Sequence, residues 1–214
     1  MGGVLMQYPP YFQATDKEHL KRNLEAIERG AELLKPLPVF VEFRHSSWVE
    51  GPQLARTMEF LSDRFLTYVS VDEPQIPGAH VMPPISAATS PLGYVRFHGR
   101  NAGTWRAQTA TAADRFDYLY SPDELAEWNA PVHELAEETE RTWVMFNNCR
   151  YDYAPRNARE MSEILGHIVA PRLTGVGDDA EPSRAAESPS AAAPGEDAAE
   201  PQLDDDIGST GRLF

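Results

Sequence analysis

Five short apolar runs of this chain end in polar side chains whose chemistry suits ligand binding or proton transfer. His98 has an imidazole that titrates near neutral pH, so it is the first candidate for a general acid or base. Glu42 and Asp72 are candidate catalytic carboxylates, one as the base and the other as its orienting partner. The remaining candidates would bind a carboxylate, a phosphate or another polar group of a substrate, and they are Gln7, Arg44, Arg96, Arg100 and Asn147.

The elements that must position these residues alternate between strand and helix patterns. Runs of β-branched and aromatic residues predict strands over residues 4–8, 39–45, 66–72, 94–98 and 143–147. Apolar periodicity and capping boxes that begin at Thr15 and Ser121 predict helices over residues 15–34, 51–63, 121–135 and 155–169. Such alternation indicates an α/β fold with a parallel sheet.

Alternate residues of each predicted strand separate apolar from polar side chains. Val41 and Phe43, for example, oppose Glu42 and Arg44. In a TIM-like (β/α) barrel one face meets the helices and the other ends at the catalytic mouth. We therefore expect one concave mouth that is lined by Gln7, Glu42, Arg44, Asp72, Arg96, His98 and Asn147.

Two interpretations of this mouth stay open. Burying charges costs several kcal/mol each unless they are paired, so the residues could form an ion network that only holds the strand ends together. Alternatively, they form a site for a small polar or anionic molecule, and the protein is an enzyme of the TIM-barrel type. The loop over residues 99–105 follows the run at 94–98 and contains two glycines, a weak indication of phosphate binding.

Composition excludes several other classes of protein. The chain has 214 residues, of which 42% are hydrophobic, and its net charge of −14 argues against non-specific nucleic-acid binding. One cysteine excludes an internal disulfide framework, and the sequence has neither a signal peptide nor an apolar run of about 20 residues, so we expect a cytoplasmic protein.

Metal and cofactor motifs are also missing from the sequence. There is no HExxH, cysteine pair, GxGxxG or P-loop, so the sequence leaves the cofactor unknown. Glu42, Asp72, His45 and His98 have suitable ligand types for a metal. However, His45 shares the parity of Val41 and should point away from the mouth, so we expect no metal site.

Residues 172–214 have the composition of a disordered acidic tail that follows a folded part over residues 1–171. This segment is rich in Ala, Pro, Asp and Glu and carries a net charge of −7. It ends in Leu213 and Phe214, two apolar residues that weakly resemble the peptides that dock on DNA sliding clamps. An alternative function is therefore a non-enzymatic interaction protein connected with DNA replication or repair.

Five ordered strings resemble one known family. They are VLMQYPP at residues 4–10, VEFRHSSW at 41–48, YVRFHGR at 94–100, YLYS at 118–121 and FNN at 146–148. This order is similar to that of the domain of unknown function 72, the YecE-like proteins, over residues 3 to about 168. The resemblance implies a TIM-like β/α barrel whose biochemical activity is not established.

The resemblance also implies that family members have strands before the first one found here. The sequence would then hold only the last five β/α units of an eight-stranded barrel. Five strands cannot close a barrel, so the first and last of them would be edges. The explanations left open are a start that lies upstream, a second polypeptide that supplies the missing strands, and a non-functional truncated barrel.

Overall fold

A computed structural model describes residues 2–105 and 116–167, which form a parallel sheet with helices packed on one face. The strands of these residues are β1 (Val4–Gln7), β2 (Val39–Glu42), β3 (Thr67–Asp72), β4 (Leu92–Phe97) and β5 (Arg141–Phe146). The helices are α1 (Lys17–Leu34), α2 (Pro52–Ser62), α3 (Pro122–Ala126), α4 (Asn129–Glu138) and α5 (Tyr153–Ile164), with a 3-10 turn at Ser46–Trp48. The α/β prediction is therefore confirmed.

The described strands lie in chain order, β1-β2-β3-β4-β5, and each pairs with the next in parallel. The sheet is strongly curved, because Arg96 of β4 reaches Gln7 of β1 with 2.5 Å between Nη1 and Oε1. In a flat sheet these strands would be about 14 Å apart, and two side chains that stand perpendicular to the sheet could not meet across that distance. On the same concave face, Phe40 of β2 packs edge-on against Trp143 of β5.

The opposite face of the sheet carries much of the apolar core. Val95 and Phe97 of β4 are buried against side chains of α3, α4 and α5, among them Leu125, Val132 and Met161. Nearer to β1, Val41 of β2 packs in a second apolar cluster that includes side chains of α1 and α2. Burial of these side chains holds the strands in register, and the register sets where the polar strand ends lie.

Two helix predictions differ from the structure in detail. The first helix is capped by Asp16 rather than Thr15, since the Asp16 carboxylate accepts from the backbone N–H groups of Glu18 and His19. The helix predicted over residues 121–135 is two helices, α3 and α4. Pro131 explains the restart, because proline lacks an N–H and is tolerated only in the first turn of a helix.

The predicted facing of β3 is wrong. Register pairs Val71 with Arg96 on the concave face and Asp72 with Phe97 on the helix-covered face. Every residue of β3 is buried, so hydrophobicity could not distinguish its two faces. The polar Tyr68 therefore packs in the core beside Val41, which is its partner in the register.

All described residues lie in one compact unit. The predicted acidic tail and its Leu213 and Phe214 lie outside the described residues. Among the helices that are described, none has the length and apolar composition needed to cross a bilayer.

Candidate functional site

Glu42, the last residue of β2, is at the centre of a polar cluster at the carboxyl ends of the strands. Its carboxylate is fully buried. One oxygen, Oε2, lies 2.6 Å from Nη1 of Arg96, and the other, Oε1, lies 2.9 Å from Nε2 of His98 and 3.2 Å from Nη1 of Arg44. Three donors from different parts of the sheet therefore converge on one carboxylate.

Asn147 closes this arrangement into a hydrogen-bonded ring. It directly follows β5, and its Oδ1 accepts from Nη2 of Arg96 at 3.1 Å. Its Nδ2 donates to Nδ1 of His98 at 3.1 Å. Since Nδ1 accepts, Nε2 must carry the hydrogen that is donated to Glu42. The ring of Glu42, Arg96, Asn147 and His98 thus fixes the tautomer of the imidazole.

We call the six residues that meet here the mouth cluster: Gln7, Glu42, Arg44, Arg96, His98 and Asn147. Every one of them was predicted to line the mouth, and the structure brings them together. Gln7 is exposed, and the Arg44 and Arg96 side chains keep 11% and 15% of their surface accessible. A small part of each of these two arginine side chains is therefore exposed to solvent.

Burial and nearby charges determine the protonation states of Glu42 and His98. Burial opposes ionisation of Glu42, but the hydrogen bond from His98 and the charges of Arg96 and Arg44 lower its pKa to about 2. Burial lowers the pKa of His98 to about 4, and Arg44 acts in the same direction. At neutral pH Glu42 is thus a carboxylate and His98 is neutral.

Glu73 is a further acid at this site that we did not predict. It is almost fully buried just after β3, where its Oε2 lies 3.1 Å from Nη2 of Arg44. Its Oε1 accepts from the backbone N–H of Met82 at 2.7 Å. Burial, opposed by the charge of Arg44, raises the pKa of Glu73 to about 7. Glu73 therefore changes charge near neutral pH.

Two aromatic side chains cover the mouth cluster. The Trp105 ring centroid lies 5.1 Å from the guanidinium carbon of Arg44, a cation–π contact, and 6.3 Å from the His98 ring. Phe116 lies 5.8 Å from the His98 ring and 6.0 Å from that of Trp105. These rings exclude water on one side of His98, which contributes to the burial that keeps the imidazole neutral.

We predict that Trp105→Ala raises the pKa of His98 from about 4 toward its ordinary value of 6.5. Loss of the indole admits water to the imidazole, and hydration stabilises the charged form. An NMR titration of the His98 ring measures this shift. Tyr11→Ala, which removes an 80% exposed ring elsewhere, is the control. A His98 titration that is the same in all three proteins would contradict the covering role of Trp105.

Asp72 was predicted to line the mouth and Arg100 to bind substrate, and the structure places both in a separate cluster on the helix side. The two oxygens of Asp72 accept from Nε and Nη2 of Arg100 at 3.0 and 2.7 Å. They also accept from the hydroxyl of Tyr120 at 2.6 Å and from the indole of Trp128 at 2.8 Å. Arg100 also pairs with Glu127. We call these five residues the Asp72 cluster.

The other histidine that we considered behaves as the strand parity predicted. His45 points away from the mouth cluster, caps the 3-10 turn at Ser46–Trp48 through a hydrogen bond from the backbone N–H of Ser47, and stacks on His80. Within residues 2–105 and 116–167, no group of three His, Cys, Asp or Glu side chains is arranged to hold a metal ion.

A cavity of about 800 Å³ lies at the opposite, amino-terminal end of the strands. Its lining includes Pro36, Phe65 and Leu92, together with the Glu28–Arg64 ion pair at its edge. None of the predicted site residues lines this cavity. The residues with acid–base and anion-binding chemistry are at the carboxyl ends, where α/β proteins bind their ligands.

Comparison with known proteins identifies relatives for most of the chain. The sequence model of the family described as "Protein of unknown function DUF72" matches residues 1–178. The UPF0759 protein YunF of Bacillus subtilis (strain 168) is 30% identical over 165 residues, which are 76% of this chain and 57% of that protein.

Two solved structures have a similar fold. A DUF72 family protein of Thermotoga maritima is 36% identical with a TM-score of 0.65, over 76% of this chain and 57% of that one. A DUF72 family protein of Enterococcus faecalis is 30% identical with a TM-score of 0.70, over 81% of this chain and 62% of that one. This chain therefore spans little more than half the length of the relatives that it matches.

Proposed function

Since the chain belongs to the DUF72 family, which is described as having no known function, we propose from its own residues that the mouth cluster binds a small oxyanion. The ligand class is a molecule with a phosphate or carboxylate group. The observation that carries the proposal is that Arg44 and Arg96 both converge on the buried carboxylate of Glu42, whose pKa is lowered to about 2.

The charges around these guanidinium groups favour an anion. Glu42 neutralises one of the two arginines, and Glu73 neutralises the second only when it is ionised. Below its pKa of about 7, Glu73 is protonated and the site carries a net positive charge. A partly buried positive charge without a counterion is costly, and a bound oxyanion would remove that cost through charge-assisted hydrogen bonds.

Each residue of the mouth cluster has a distinct role in this proposal. Arg96 and Arg44 contact the ligand, while Glu42 holds both guanidinium groups in place. Gln7 lies at the exposed rim, where its amide can donate to a ligand oxygen. Asn147 and His98 are positioning residues, since their hydrogen bonds orient Arg96 and Glu42.

If the protein is an enzyme, we propose that its reaction takes place on the molecule bound at the mouth cluster. Glu42 is fully ionised and His98 is neutral with both ring nitrogens hydrogen-bonded, so neither exchanges protons readily near neutral pH. Asp72 is saturated by donors of its own cluster. An acid–base step on a bound molecule would therefore use Glu73 more readily than the carboxylates that we predicted from the sequence.

Anion binding is tested by isothermal titration calorimetry with sulfate, inorganic phosphate and a small dicarboxylate at about pH 6. We expect Arg96→Gln to weaken binding of the preferred anion about tenfold or more, because a hydrogen bond to a charged group contributes about 1.5–3 kcal/mol. The preferred anion also distinguishes a tetrahedral ligand from a planar one.

Arg56→Gln is the matched control, because Arg56 is an exposed residue of α2 and its loss changes the net charge equally. Circular dichroism verifies that both variants are folded. If none of the three anions binds to the wild-type chain, or if both variants weaken binding equally, the oxyanion site is refuted. The polar cluster would then serve only to hold the strand ends together.

A further inference from the structure

The adjacent acids Asp72 and Glu73 point to opposite sides of the sheet and have different partners. Asp72 is paired in the register with Phe97 on the helix-covered face. Glu73, the next residue, has its Oε2 beside Nη2 of Arg44 at the mouth. Although Oε2 is buried, the described residues give it an ion pair but no well-aligned hydrogen bond. Oε2 of Glu73 is therefore an acceptor that no well-aligned hydrogen bond from the described residues holds in place.

Arg44 is shared between two carboxylates and the mouth. Its Nη1 is 3.2 Å from Oε1 of Glu42, its Nη2 is 3.1 Å from Glu73, and Trp105 lies over its guanidinium plane. Glu42 has the charge of Arg96 as well, whereas Arg44 is the cation that the described residues provide for Glu73. An oxyanion that binds Arg44 would therefore compete directly with Glu73.

The charged and titratable groups that face Glu73 come from three neighbouring segments. Glu42 of β2 and Asp72 of β3 both disfavour its ionisation, and Arg44, which follows β2, favours it. Tyr68 of β3 interacts electrostatically with Glu73, and burial raises the pKa of its own hydroxyl, so it stays neutral. The loop around Met82 contributes a backbone N–H. Burial thus has the largest effect on the pKa of Glu73, and Arg44 is the main group that favours its ionisation.

On the basis of the proposed oxyanion site, we propose that Glu73 takes up one proton from solvent when an oxyanion binds to Arg44. The guanidinium of Arg44 exchanges the carboxylate of Glu73 for the ligand, and the added proton makes Glu73 neutral. Its new O–H can donate a hydrogen bond toward the ligand. The site would thus bind the anion and the proton together, and it would hold an acid beside the bound molecule.

Calorimetry with sulfate tests this coupling, because sulfate keeps the same charge at every pH used. Titrations in two buffers with different heats of ionisation give the number of protons taken up per sulfate. We expect close to one proton about one pH unit above the Glu73 pKa of about 7, and few protons one unit below it. Sulfate affinity should decrease about tenfold for each further pH unit above this range.

Glu73→Gln resembles the protonated acid, so it should bind sulfate with an affinity that does not change in this pH range and without proton uptake at Glu73. Glu59→Gln, at an exposed position of α2, should behave as the wild type. Proton-free binding by the wild type, or proton uptake that persists in Glu73→Gln, would overturn the coupling. The wild-type measurement is decisive even if Glu73→Gln fails to fold. Absence of sulfate binding at every pH refutes the oxyanion site itself, which is a distinguishable result.

Discussion

Replacing Asp72 with alanine is expected to lower the free energy of unfolding by about 3 to 5 kcal/mol, one of the two largest effects that we predict. The carboxylate is 2% exposed and accepts hydrogen bonds from Arg100, Tyr120 and Trp128. Its removal leaves the buried Tyr120 and Trp128 donors without this acceptor and takes from Arg100 one of its carboxylate partners. Urea denaturation monitored by tryptophan fluorescence measures the effect.

Asp63→Ala is the control for this substitution, because Asp63 is an exposed residue that ends α2. It should change stability by less than about 1 kcal/mol. Sulfate binding by Asp72→Ala, measured where the variant remains folded, should equal that of the wild type. A stable Asp72→Ala that has lost anion binding would contradict the structure and would support a role for Asp72 in the mouth.

The second large effect is an acid-dependent loss of stability that comes from Glu42. Its pKa is lowered from 4.5 to about 2 in the fold, so its contribution is complete above pH 4.5 and is lost as the pH falls toward 2. This difference in pKa corresponds to about 3 kcal/mol. We expect Glu42→Gln to be less stable than the wild type at neutral pH by about that amount, and the difference to disappear in acid.

Urea denaturation from about pH 7 to pH 2 measures this dependence. Glu73 has the opposite sign, because its pKa is raised from 4.5 to about 7, so it lowers stability as the pH rises through that range. Glu73→Gln should therefore be relatively more stable than the wild type at alkaline pH. If the stability difference between the wild type and Glu42→Gln does not change with pH, Glu42 is not held as a buried ion pair.

Alternation within β2 and β4 was sufficient to predict most of the mouth cluster. Val41 beside Glu42, and Phe97 between Arg96 and His98, leave one possible facing for each polar residue, because the apolar partner must be covered by helices. Parallel pairing of the strands then brings their carboxyl ends to the same edge of the sheet. The fold class and the meeting of the six residues follow from local pattern alone.

The β3 strand could not be predicted in this way, because its polar residues are satisfied by distant partners. Asp72 is stabilised on the helix side by Tyr120 and Trp128, which are about 50 residues later in the chain. The apolar Val69 and Val71 of this strand were assigned to the helix-covered face, and that assignment placed Asp72 in the mouth. The adjacent acids Asp72 and Glu73 are compatible with either orientation of the strand. The two adjacent acids were themselves a signal. Whichever way the strand faces, either Asp72 or Glu73 provides a carboxylate to the mouth.

The loop over residues 99–105 was noted for its glycines, whereas the residue that reaches the site in the structure is Trp105. Sequence spacing does not give the path of a long connection, so the contact of its ring with Arg44 could not be derived. Arg100, at the start of the same loop, was predicted to bind a carboxylate or phosphate of a substrate because of its guanidinium group. The nearby acids Asp72 and Glu127 bind it instead.

If Arg44 and Arg96 bind an oxyanion while Arg100 only stabilises the fold, the three guanidinium groups should respond differently to sulfate. A sulfate titration followed by ¹⁵N NMR of the arginine side chains reports on each guanidinium group separately. We predict that the signals of Arg44 and Arg96 shift together with a single dissociation constant, and that the signal of Arg100 stays in place. Shifts at Arg100 alone, or no shift at Arg44 and Arg96 at saturating sulfate, would contradict the account.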